Sequence, residues 1–254
     1  MLPIFLTLCF ILFFWMTGWY FVARYFRRTD IVDMVWWLSY GVIALMLYIF
    51  FSDTSIAIIP LIFVLVWSVR LVTHIIVRLT RHIEDSRYAA FRLSWWKYFY
   101  LKSYFYIFLL QGFFIAIISL PLLFLFTKYI SLSPPFIIGA LLWIVWFLFE
   151  YIADRQMNIF RRDEWNKWKI IQSGLWRYSR HPNYFGELLM WWSLWVMSIT
   201  NISSLIWILS PLLLSYLIIY VTGIPMLETA LRKRVGYESY IRTTSMLVPL
   251  PPRK

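Results

Sequence analysis

Seven stretches of this chain are apolar over, or close to, the length needed to cross a bilayer, and nothing else narrows the possible folds as much. They lie at about 2–23, 31–51, 55–77, 103–126, 134–154, 184–200 and 202–222. A helix rises about 1.5 Å per residue, so roughly 20 apolar residues span the hydrocarbon layer. In that layer each backbone N–H and C=O must be satisfied within the protein, which leaves helices or closed barrels. Continuous runs of this length specify helices. The expectation is an all-α integral membrane protein of about seven transmembrane helices. A composition 62% hydrophobic and 14% charged rules out an ordinary soluble domain.

The charges fix an orientation. A net charge of +12 would point to nucleic acid in a soluble protein. Here every Lys and Arg except Arg70 and Lys128 follows the first, third, fifth or seventh run. The positive-inside rule then puts the C-terminus in the cytoplasm and the N-terminus outside. The partner this composition leads one to expect is membrane lipid, not nucleic acid. The first run lacks a basic leader and a small-residue cleavage site, so it reads as a retained helix. The single cysteine, Cys9, excludes a disulfide framework within one chain. No internal repeat, low-complexity segment or linker is visible, so residues 1–254 read as one transmembrane domain.

Topology does not explain the ionisable residues within the runs, which are costly in hydrocarbon and default to functional candidates. These are Asp33, Arg70, His74, Glu150, Asp154 and Glu187, with Glu228 following the last run. The bland alternative is structural ion pairing, such as Arg70 with Asp33. Helical spacing groups them. Glu150, Asp154 and Arg161 fall at i, i+4 and i+11, as do Arg70, His74 and Arg81, while Asn183 and Glu187 fall at i, i+4. Arginines beside carboxylates and an amide suit a ligand that carries phosphates and sugar hydroxyls. In the segment GLWRYSRHPNYFGE (174–187), His181 reads as a helix cap and Pro182 as the first helical residue. Tyr178, Arg177, Arg180 and His181 beside that helix start suit an anion. His74, His82 and His181 lack metal-ligand spacing, so no metal is expected.

These residues also carry a resemblance. GLWRYSRHPNYFGE, FEYIADRQMNIFR, GIPMLE, YESYIRTTSMLVPLPP, IVDMVWW, WSVRLVTHIIVR and EDSRYAAFR together resemble bacterial membrane proteins of the steroid 5-alpha-reductase C-terminal domain family (DUF1295-like). More distantly, RHPNYFG is similar to a segment of the isoprenylcysteine carboxyl methyltransferases. The resemblance covers nearly the whole chain, with 134–254 as the C-terminal core. It implies a seven-helix NADPH-dependent reductase of a carbon–carbon double bond in an apolar small-molecule or lipid substrate, whether steroid, isoprenoid or fatty. It also implies a bacterial inner-membrane location and a cofactor site that faces the cytoplasm.

The resemblance maps cofactor contacts onto Arg70, His74, Arg81, Glu150, Asp154, Arg161, Asn183 and Glu187. Tyr178, Arg180 and His181 join them from the anion reading. Glu150 stands where the family has Asn. The catalytic Glu and Tyr of steroid reductases correspond to Asp33 and Trp67. An indole is no useful acid, so His74 or Asp33 becomes the candidate proton donor. Two other readings stand beside this one. The first is an S-adenosylmethionine-dependent methyltransferase of a lipid or prenylated thiol. The second is a non-enzymatic bundle or transporter.

Overall fold

The computed structural model describes residues 1–80, 84–128, 130–166 and 168–253. Among these the protein is helical, apart from turns and an isolated parallel bridge between Ser179 and Ser245. Six helical segments are long and apolar enough to cross a membrane: Leu2–Phe26, Ile31–Phe51, Ser55–Leu79, Arg87–Ile118, Pro134–Arg162 and Ile202–Leu231. The chain is therefore a membrane protein. It divides into two compact units, Met1–Leu132 and Ser133–Lys254.

The first unit contains α1 (Leu2–Phe26), α2 (Ile31–Phe51), α3 (Ile58–Leu79) and α4 (Ser86–Trp95). It continues through α5 (Phe99–Lys102), a π-helical turn at Ser103–Leu109, α6 (Leu110–Ile118) and α7 (Leu120–Thr127). Small residues let these helices approach. A Cβ on Gly41 of α2 would lie 2.8 Å from Ser68 Oγ of α3, and that hydroxyl donates to the Trp37 carbonyl at 2.7 Å. Gly112 of α6 likewise receives Met16 of α1, which is fully buried. Polar links inside the apolar faces add register: Trp15 Nε1 donates to Ser39 Oγ at 2.9 Å, and Thr17 meets the Tyr104 hydroxyl at 3.1 Å.

The fourth apolar run begins in the helical stretch Arg87–Ile118, whose first part, α4, carries the paired Arg87 and Arg92 and is set off from the rest by a break at Trp96, where φ is 46. That stretch stops at Ile118 because the helix breaks at Ser119, two residues before Pro121.

The second unit contains α8 (Pro134–Arg162), α9 (Pro182–Met197), α10 (Leu209–Tyr216), α11 (Ile224–Leu231) and α12 (Tyr237–Thr243). Ser133 and the two prolines after it start α8: the Ser133 hydroxyl accepts from Phe136 N, and proline suits the first turn. Helices α8 and α9 run antiparallel in close contact. A Cβ on Gly139 would sit 2.7 Å from the Ser193 carbonyl, and one on Gly186 would sit 3.0 Å from the Trp146 carbonyl. The α9 helix has 16 residues, short of a full crossing on its own length.

Because backbone atoms face Gly139, the helices must separate to admit a methyl group. Gly139→Ala is expected to cost about 1–3 kcal/mol of stability, read as a lowered unfolding temperature in detergent. Gly18→Ala, which meets nothing within 4 Å, is expected to leave it unchanged or slightly raised.

Candidate functional site

In the first unit the polar residues gather where α2 begins, α3 ends and α4 begins. Asp33, in the first turn of α2, accepts from three donors. Its Oδ2 takes Arg78 Nη2 at 2.5 Å and Arg87 Nη2 at 2.6 Å, and its Oδ1 takes the Tyr88 hydroxyl at 2.6 Å. Asp85 caps α4 by accepting from Arg87 N and also binds the Arg87 guanidinium at 2.9 Å. Burial pushes the Asp85 carboxyl up, but the Arg87 hydrogen bonds and the charges of Arg87 and Arg78 outweigh it and hold its pKa below the usual value. Asp30 pairs with Arg28 at 2.8 Å, and Glu84 with Arg92 at 2.9 Å. Four carboxylates thus face four guanidinium groups, and each carboxylate has a partner.

This cluster answers the question of what Asp33 pairs with. Its cations include Arg78 and Arg87. Trp67 is buried among aromatic rings, edge-on to Trp37 with centroids 5.2 Å apart and tilted against Tyr40 at 5.9 Å. Arg70 is half-buried and His74 is exposed on α3. Arg81 and His82 lie outside the described residues.

In the second unit the candidates follow the α8–α9 seam. Glu150 and Glu187 are both buried, at 2% and 4% exposure, within otherwise apolar helices. A Cβ at Gly186, the residue before Glu187, would meet Glu150 Cβ at 2.9 Å, so the two carboxylates lie at one level. Asp154 is one turn further along α8, and Asn183 one turn earlier on α9. The helices are antiparallel, so both steps run in the same direction, toward Arg161. Asp154 and Asn183 are half-buried and Arg161 is exposed.

The segment before α9 is built onto α8 and onto the chain's last helices. Gly174 adopts φ +61, and a Cβ there would collide with the Gln156 amide. Leu175 N donates to Gln156 Oε1 at 2.9 Å, and Trp176 Nε1 donates to the Ala153 carbonyl at 3.0 Å. His181 caps α9 and Pro182 opens it, as the sequence predicts. Arg180 and His181 both turn onto one carboxylate oxygen: Arg180 Nε lies 2.8 Å from Glu228 Oε1, and His181 Nε2 lies 3.1 Å from it. Arg180 Nη1 also donates to the carbonyls of Thr244 at 2.7 Å and Ile241 at 3.3 Å.

The stretch after α12 straps this loop down. Arg180 N donates to the Ser245 carbonyl, Ser179 Oγ to the Leu247 carbonyl, and Leu250 N to the Tyr178 carbonyl. The Tyr178 ring stays exposed. Tyr240 donates to the Trp176 carbonyl from α12. The sequence marks Glu228 only by its position. It marks Tyr88, Tyr237 and Tyr240 only as members of the segments EDSRYAAFR and YESY, the second placing its tyrosines at i, i+3 on one helix face.

A family model described as a protein of unknown function (DUF1295) matches residues 19–244. The chain belongs to that family. No curated protein matches the chain, and no solved structure does.

Burial raises the Tyr237 phenol to about 12, with the Glu228 charge adding to the effect. An unfolded phenol ionises near pH 10. The stabilisation from keeping Tyr237 neutral is therefore complete below about pH 10 and disappears as pH rises to about 12. Tyr237→Phe should flatten the fall in unfolding temperature across that window while leaving its acid side unchanged.

Proposed function

We propose that this protein is a membrane-embedded, NADPH-dependent reductase of a carbon–carbon double bond in a lipid-like substrate. On this reading it has seven transmembrane helices, with the short α9 as the sixth, and its cofactor site faces the cytoplasm. The observation that carries the proposal is the polar row along the α8–α9 seam. Two buried carboxylates are followed, one turn on, by Asp154 and Asn183, and then by Arg161. Carboxylates and an amide suit ribose hydroxyls and a carboxamide, and the exposed Arg161 suits a phosphate. The row falls on positions that the resemblance to steroid reductases assigns to the cofactor.

Bound NADPH would supply the hydride. The chain's own part is to hold the cofactor and to manage a proton. The Asp33–Tyr88 pair supports Tyr88 as the proton-bearing group. A phenol both donates and accepts, and Asp33 orients this one. Trp67 offers only an indole N–H in an aromatic cluster, and Asp33 is already an acceptor at both oxygens. The methyltransferase reading keeps RHPNYFG in its favour, so the binding test includes both cofactors.

Purified protein should unfold at a higher temperature with NADPH, by the equivalent of about 2.7 kcal/mol at a hundred times Kd. Asn183→Ala should weaken that binding about tenfold, the scale of one lost hydrogen bond. A shift with S-adenosylmethionine and none with NADPH would sink the reductase reading. In NADPH consumption assays with apolar conjugated enones, Tyr88→Phe should lower turnover about a hundredfold or more and leave NADPH binding intact. Unchanged turnover would remove Tyr88 from the reaction.

A further inference from the structure

A hollow of about 440 Å³ in the second unit is lined by Trp168, Ala230, Lys233, Arg234 and Val235. It lies away from the α8–α9 seam, and none of the residues discussed above as cofactor candidates lines it. Two pieces of chain form it. One is the loop after α8, whose membrane segment ends at Arg162. The other is the turn after α11, whose membrane segment ends at Leu231. Arg234 Nη1 donates to the Lys169 carbonyl at 3.1 Å and ties the two pieces together. The hollow therefore lies past the C-terminal ends of two helical segments long and apolar enough to cross a membrane.

Its chemistry is mixed in a way that water alone does not suit. Lys233 and Arg234 are exposed cations. Arg232 is set apart from them, paired with Glu238 at 3.0 Å. Beside the cations, Val235 is 95% exposed and Trp168 is 75% exposed. An exposed valine and an exposed indole next to exposed positive charge match the boundary between phosphates and acyl chains, where indoles concentrate and basic groups meet anionic lipid.

We infer that this hollow binds the headgroup of an anionic phospholipid. Its phosphate lies against Lys233 and Arg234, and its glycerol and upper acyl carbons lie against Val235 and Trp168. The site is independent of the reductase reading.

The test is native mass spectrometry of the full chain in neutral detergent, titrated with phosphatidylglycerol and, separately, with phosphatidylcholine of the same acyl chains. The tightest phosphatidylglycerol-binding event should be favoured over phosphatidylcholine. Lys233→Gln should weaken that event about fivefold, the worth of one basic residue at an anionic surface, and Lys233→Arg should retain it. Lys233 is exposed, so both variants should keep the helical circular dichroism of the parent. Equal binding of the two lipids overturns the proposal, as does an unchanged preference in Lys233→Gln. Displacement of phosphatidylglycerol by millimolar inorganic phosphate also overturns it, because the site would then hold a free anion.

Discussion

A charge at the edge of an apolar bundle must find its partner within the protein, because the hydrocarbon offers none and desolvation is expensive. That constraint shapes both units. In the first, Asp33 gathers Arg78, Arg87 and Tyr88, and by doing so fixes where α2 begins against the end of α3 and the start of α4. In the second, Glu228 takes Arg180 and His181 on one oxygen and so fixes the entry of the chain into α9. Carboxylates close to membrane segments thus organise the irregular chain between helices as much as they mark candidate chemistry.

Close helix approach is the second requirement, and it concerns the seam directly. Without glycine at 139 and 186, α8 and α9 could not run in backbone contact. Glu150 and Glu187 would then lose the tight surroundings that keep them from water and lipid. The polar row is narrow because the helices beside it are close. A cofactor that reads it must do so from the end where Asp154, Asn183 and Arg161 become accessible.

Much of the fold was legible because its signals are local. Apolar length gave the helices, and proline at the first helical position placed the start of α9 at Pro182. The seam row was legible as well, since i, i+4 spacing on two helices is a property of each helix alone. The partners were not legible. Asp33 meets Arg87 across 54 positions and Arg180 meets Glu228 across 48, and no periodicity connects residues that far apart. The part played by α4 was hidden for a related reason. Arg87 and Arg92 look merely hydrophilic in sequence, and only the fold pairs them with Asp33 and Glu84.

The strap over residues 178–181 also sets an order in time. Ser179 is held by the Leu247 carbonyl, 68 positions later. At roughly 5–20 residues per second of synthesis, the loop emerges several seconds before the segment that fastens it. Through that interval Arg180 has none of its acceptors, since Glu228, Ile241 and Thr244 all follow. The loop at the head of α9 is thus among the last parts of the protein to take its final shape, although it lies well inside the chain.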